Sequence, residues 1–120
     1  MADADRTGSD VVRAFLRAMQ RGPDGLETLL GLFADDAVYV ESLTGGSHDR
    51  PRVHRGKAAV ERALRAGLEW NPPDFTLQLD RLHADGDHLI AAWTCRSEAL
   101  PGPVSGLDHY TVRGGRIARL

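Results

Sequence analysis

The stretch Leu26-Glu27-Thr28-Leu29-Leu30-Gly31-Leu32-Phe33-Ala34-Asp35-Asp36-Ala37-Val38-Tyr39-Val40-Glu41-Ser42 changes period part-way along, and the change decides the fold class. Leu26, Leu29, Leu30 and Phe33 recur at helical spacing, which predicts the apolar face of a helix beginning at Asp24. Asp24 and Glu27 stand at capping-box spacing, and Asp35-Asp36 closes the helix. From Ala37 to Ser42 the residues are β-formers. Alternation there sets Ala37, Tyr39 and Glu41 on one face and Val38 and Val40 on the other.

Upstream, Ser9 is expected to cap a helix from Asp10 to about Arg21, with Val11, Phe15, Ala18 and Met19 on its apolar face and Gly22-Pro23 ending it. Residues 1–8 read as a flexible leader and 9–120 as one domain. Downstream, Thr44 to Pro51 reads as a loop and Lys57 to Glu69 as a third helix, which Asn71-Pro72-Pro73 breaks. Strands are expected at Phe75 to His83, His88 to Ser97, Val104 to Val112 and Ile117 to Leu120. Ala84-Asp85-Gly86-Asp87 and Arg113-Gly114-Gly115-Arg116 form two of the turns. Helices first, then a strand, a helix and an antiparallel meander, make an α+β pattern. A curved, mostly antiparallel sheet wrapped around helices is expected, forming a cone with one internal small-molecule pocket.

The 120 residues carry 15 basic against 17 acidic side chains, a net charge of −2. That balance argues against nucleic-acid binding, which relies on a basic stripe. A single cysteine, Cys95, excludes an intramolecular disulfide and a cysteine-based zinc site. His48, His54, His83, His88 and His109 include no i, i+4 pair, so no metal site is expected. No apolar run reaches the roughly 18 residues needed to cross a bilayer. The polar start Met1-Ala2-Asp3-Ala4-Asp5-Arg6 has no apolar signal core, and a cytoplasmic protein is expected.

Three segments in this order carry a resemblance: Leu32-Phe33-Ala34-Asp35-Asp36-Ala37-Val38; His54-Arg55-Gly56-Lys57-Ala58-Ala59-Val60; and Gly106-Leu107-Asp108-His109-Tyr110 with Gly115-Arg116-Ile117. From Val11 to Leu120 the chain resembles the nuclear-transport-factor-like cone fold, in its SnoaL-like and ketosteroid isomerase-like branch. That fold hosts isomerases, cyclases, epoxide hydrolases, dehydratases and plain binders. In ketosteroid isomerase a carboxylate base works with an oxyanion hole of a tyrosine and a protonated aspartic acid. The resemblance implies Glu41 at the base position and Asp108 at the acid position. The family's first-helix tyrosine is missing, with Leu16 or Arg17 in its neighbourhood. SnoaL-like cyclases rely on a carboxylate at the place of Asp108. Thr94-Cys95-Arg96-Ser97-Glu98 resembles the Arg-x-carboxylate strand of limonene epoxide hydrolases, which implies water held against an epoxide; the second carboxylate of that family would fall beyond Leu120.

The expected catalytic residues are Glu41 as general base, Asp108 as acid and Arg96 as the group that steadies developing charge. A carboxylate among apolar neighbours is costly unless paired or protonated, and two facing one cavity push their pKa values apart. Phe15, Tyr39, His54, Leu64, Thr94 and Tyr110 are expected to bind substrate, with Leu30 lining the same pocket. Parity places Ala92, Thr94 and Arg96 toward the pocket, and Trp93 and Cys95 outward with Val38 and Val40, on a face that pairs two copies. The basic stretch from Ser47 to Val53 is placed to gate the mouth. The expected function is acid–base chemistry without a cofactor on a small hydrophobic carbonyl compound, of polyketide cyclase, isomerase or dehydratase type. The alternatives are epoxide or ether-ring chemistry, and a non-catalytic binding or dimerisation module.

Overall fold

A computed structural model describes residues 7–41 and 50–120. Helix α1 (Gly8–Met19) starts earlier than the expected Ser9 cap. Thr7 is the cap: its hydroxyl accepts the Asp10 N–H at 3.1 Å, and the Asp10 carboxylate accepts the Thr7 N–H at 3.3 Å. This reciprocal box needs its acid three residues after the cap, which selects Thr7 over Ser9. Val11, Val12, Phe15, Leu16 and Ala18 are buried along the helix.

The helix expected from Asp24 to Phe33 is shorter and divided. A 3-10 turn spans Gly22–Gly25, and α2 (Leu26–Gly31) follows it; neither has a side-chain cap bond, so the Asp24–Glu27 box does not form. The turn is pressed against the end of α1, where a Cβ on Gly25 would lie 2.1 Å from the Ala18 carbonyl oxygen. Phe33 leaves the helix to become the first residue of β1 (Phe33–Glu41), opposite Ile117. Asp35 and Asp36 therefore lie exposed within the strand instead of closing a helix. The pairing then jumps to Val38 opposite Arg119, so β1 bulges around the two aspartates.

An unexpected strand, β2 (Arg52–Arg55), follows; it pairs antiparallel with β1, Tyr39 facing His54 and Glu41 facing Arg52. Four mostly polar residues carry too little alternation to announce a strand, and β1 supplies its partner groups. Helix α3 (Lys57–Trp70) buries Val60, Leu64 and Leu68. The meander is β3 (Thr76–Asp85), β4 (His88–Arg96), β5 (Val104–Arg113) and β6 (Arg116–Arg119). Two-residue turns set two of its hairpins. Gly86 follows Asp85 at φ 61°, and Gly114-Gly115 sit at φ 58° and 76° between Arg113 and Arg116, a conformation open to glycine at little cost.

The six strands form one curved, unclosed sheet in the order β2-β1-β6-β5-β4-β3, with β1 and β6 parallel and all other neighbours antiparallel. The α+β architecture is the expected one. The helices cover one face, where Phe33, Ala37, Leu89, Ala91, Tyr110, Val112 and Ile117 join the helical residues in a single core. Among the described residues no helix is long and apolar enough to cross a membrane.

Two glycines give opposite expectations. Gly25→Ala drives a methyl into backbone and should destabilise by about 1–3 kcal/mol. Gly67 lies inside α3 with nothing near its missing side chain, so Gly67→Ala should stabilise by about 0.5–1 kcal/mol. Denaturant midpoints of the two variants against wild type check the reversal of sign.

Candidate active site

The inner face of the sheet is defined by its register. Ala91 lies opposite Asp108, Leu89 opposite Tyr110, and Trp93 opposite Gly106, and directly opposed residues share a face. Thr111 and Val38 both pair with Arg119, so their neighbours Tyr110 and Tyr39 share the opposite, inner face. Tyr39, Glu41, His54, Trp93, Asp108 and Tyr110 therefore project from four strands toward one region above the core.

Its floor is aromatic. Phe15 of α1 meets Phe33 and Tyr110 edge-on, with ring centroids 6.0 and 5.8 Å apart, and Phe33 meets Tyr39 edge-on at 6.4 Å. The Tyr39 ring stacks on His54 at 5.8 Å. Leu64 is core on α3, and Leu30 packs against the same core.

Two hydrogen-bonded acids sit above this floor. His54 Nε2 and Glu41 Oε1 are 2.9 Å apart, with 21% and 13% of their side chains exposed. An ionised carboxylate only accepts, so Nε2 carries the shared hydrogen when Glu41 is charged. Semi-burial strengthens this pair relative to a surface one. Across the sheet, the Tyr110 hydroxyl donates to Asp108 Oδ2 at 3.0 Å. Burial raises the Asp108 carboxyl above its ordinary range, partly offset by the Trp93 indole N–H, the Tyr110 hydroxyl and the charge of His109. Burial, then the charges of Glu41 and Asp108, push the Tyr39 hydroxyl well above its usual value, so both acids act on one phenol. Burial and Asp108 do the same to Tyr110.

Three expectations of parity are corrected. Arg96 is exposed on the outer face and donates to Gln78 Oε1 at 3.3 Å. Thr94 is buried there too, donating to Asp80 Oδ2 at 2.5 Å, with Ser105 Oγ at 3.2 Å. Trp93 and Cys95 point inward, opposite Gly106 and Val104. The cause is a β-bulge at Asp80: Leu82 pairs with Ala91, but Leu79 pairs with Trp93. An unbroken ladder from the Asp85–His88 turn would set Leu79 opposite Thr94 and Leu77 opposite Arg96, and a slip of one residue exchanges the faces. The segment read for epoxide chemistry is instead a loop anchor. The Asp74 carboxylate accepts the Ser97 hydroxyl at 2.5 Å and the Glu98 N–H at 2.7 Å, bonds that lower its pKa.

His54, expected to bind substrate, is found on β2 as the partner of Glu41. The signal available in sequence was Val53 and His54 lying between the breakers Pro51 and Gly56. Ser42 and residues 47–49 of the expected gate lie outside the described residues. Among the described residues no group of three or more His, Cys, Asp or Glu is placed to hold a metal ion.

Comparison with known proteins agrees with this geometry. The family model of the SnoaL-like domain matches residues 12–120. No curated protein matches the chain. Among solved structures, a candidate polyketide cyclase from Sinorhizobium meliloti superposes with a TM-score of 0.71 at 24% identity, covering 98% of this chain and 94% of its own. A candidate ketosteroid isomerase from Kribbella flavida gives 0.66 at 20% identity, over 91% and 70% of the two chains. An NTF2-like protein of unknown function from Cytophaga hutchinsonii gives 0.68 at 10% identity, over 94% and 85%. At these identities the likeness is one of fold, the cone of the nuclear-transport-factor-like proteins.

The raised Asp108 fixes the sign of a pH effect. Unfolded, the residue titrates near the ordinary aspartate value; folded, it titrates higher. The native state thus holds the proton longer, and this group's contribution to stability falls as pH rises through that window. Asp108→Asn removes the effect, so its stability relative to wild type should improve as pH rises above the ordinary aspartate range of about 4. Denaturant unfolding of both proteins across the range measures it; a constant difference would contradict the assignment.

Proposed function

The chain belongs to the SnoaL-like domain family, and from that premise we propose that it is a cofactor-independent acid–base enzyme acting on a small hydrophobic carbonyl compound, of polyketide cyclase, isomerase or dehydratase type. The observation that carries the reading is the convergence of two hydrogen-bonded carboxyl groups, Glu41–His54 and Asp108–Tyr110, over one aromatic floor. Glu41 removes a proton from the carbon beside the carbonyl, and His54 orients it. Asp108, held toward its neutral form by burial, delivers a proton to the oxygen on which charge gathers. The aromatic rings supply an apolar bed in which both transfers are stronger than in water. A cytoplasmic setting is part of the reading, in keeping with a single cysteine.

We also propose that the outer face pairs two copies of the chain. Val38 and Val40 share that face with Ile90, Ala92 and Leu107, and Leu107 is 63% exposed. A stable interface needs about 600–1,000 Å² per partner, which is within reach of such a sheet face. Trp93 and Cys95, expected there, have no part in it.

Conjugated and ring-closing carbonyl compounds, screened by ultraviolet absorbance, provide the assay. Glu41→Gln and Asp108→Asn should each lower kcat by about 10²–10⁴-fold with little change in KM, and the double variant should lose far less than the product of the two. Wild-type turnover by both single variants would overturn the mechanism. For the assembly, light scattering should give a dimer that Leu107→Glu converts to monomer; a monomeric wild type at micromolar concentration would contradict it.

A further inference from the structure

The indole N–H of Trp93 is buried and has no acceptor within ordinary hydrogen-bond geometry. Buried donors are nearly always paired, so an exception points to a state in which the partner arrives. Two features fix the ring. Trp93 lies opposite Gly106 across β4 and β5, and a Cβ on Gly106 would fall 2.4 Å from the ring. The ring therefore lies across the backbone of β5 in space that only glycine leaves. Asp108 is two residues further along the same face, opposite the small Ala91, and Trp93 is close enough to counter part of the effect of burial on its carboxyl.

We propose that Trp93 is a positioning residue for Asp108: its indole N–H bonds to the carboxylate when Asp108 gives up its proton, and with the Tyr110 hydroxyl it forms a two-donor cradle for the charge. In that step the O–H bond of the Asp108 carboxyl breaks, the proton passes to the substrate oxygen, and the electron pair stays on the carboxyl as its negative charge. The Tyr110 donor is already in place at 3.0 Å; Trp93 is the second, and it is released when the carboxyl is reprotonated. Around Asp108 the chargeable groups are Tyr110 and His109 on β5, Tyr39 and Glu41 on β1, and His54 behind Glu41 on β2. Gly106 is the residue that makes the cradle possible. The use of the cradle in turnover rests on the acid–base reading; its existence rests on the geometry.

Proton–nitrogen NMR of the whole chain tests it. The protein has two tryptophans, and Trp70 is 70% exposed at the end of α3, so Trp70→Phe assigns the two indole signals. In wild type the Trp93 indole proton should move downfield as pH rises through the Asp108 titration, followed in parallel on the carboxyl carbon, and in Asp108→Asn it should stay still. Trp93→Phe should raise the Asp108 midpoint by about one to two pH units, the worth of a hydrogen bond to a charged group; Gly106→Ala, which displaces the ring, should raise it too. An indole signal that never moves, one that moves equally in Asp108→Asn, or an unchanged midpoint in Trp93→Phe would overturn the proposal. The first two arms need no variant of Trp93 to fold. Loss of the carboxylate-pair mechanism in the turnover assay would leave this titration intact, so the two failures are separable.

Discussion

The parallel contact between β1 and β6 holds the site together. It joins strands from opposite ends of the chain through short backbone bonds: Ile117 N–H to the Leu32 carbonyl at 2.7 Å, Leu120 N–H to the Val38 carbonyl at 2.9 Å, and Val40 N–H to the Leu120 carbonyl at 2.7 Å. Such a contact closes a long loop, whose entropy opposes it. Burial offsets the cost, since Phe33 and Ile117 are opposed and both fully buried, each worth about 1.5–3 kcal/mol. With the pairing in place, Tyr39 and Glu41 come beside Asp108 and Tyr110. Neither half of the sheet contains both acids.

Once together, the acids are tolerated because each has a donor. Glu41 has His54 and Asp108 has Tyr110, which answers the cost of placing carboxyl groups next to Phe15 and Phe33. The two environments are not alike. The Glu41 pair touches solvent, whereas Asp108 is governed by burial. Arg113, further along β5, is paired with Asp87 at 3.4 Å on the turn.

The architecture was legible because it rests on short-range patterns: the faces of α1 and α3, the Gly-containing turns and the alternation of β1. Glu41, Asp108, Tyr39 and Tyr110 followed from the same alternation together with a family resemblance. What escaped depends on register. Arg96, Thr94 and Trp93 were assigned to the wrong faces because one bulge at Asp80 changes the count along β3, and no residue type announces a bulge. The bond of His54 to Glu41 escaped because β2 exists only through its pairing with β1. Phe33 fitted a helical spacing as well as a strand, and burial opposite Ile117 decided it.

The bulge at Asp80 has a second consequence. The sheet is open, and β3 is one of its two edges, a ten-residue strand whose outer backbone groups, beyond the Leu77 N–H that donates to Gln20 Oε1 at 3.1 Å, invite another chain to add on. The opposite edge, β2, is only four residues long and carries Arg52 and Arg55. β3 lacks the protection of shortness; Asp80 and Arg81 interrupt it midway instead. The extra residue that keeps Leu77, Leu79 and Trp93 on one face also spoils the straight template that aggregation would require. A deletion there that straightened the strand would disturb the inner face and leave the protein prone to fibrous self-association.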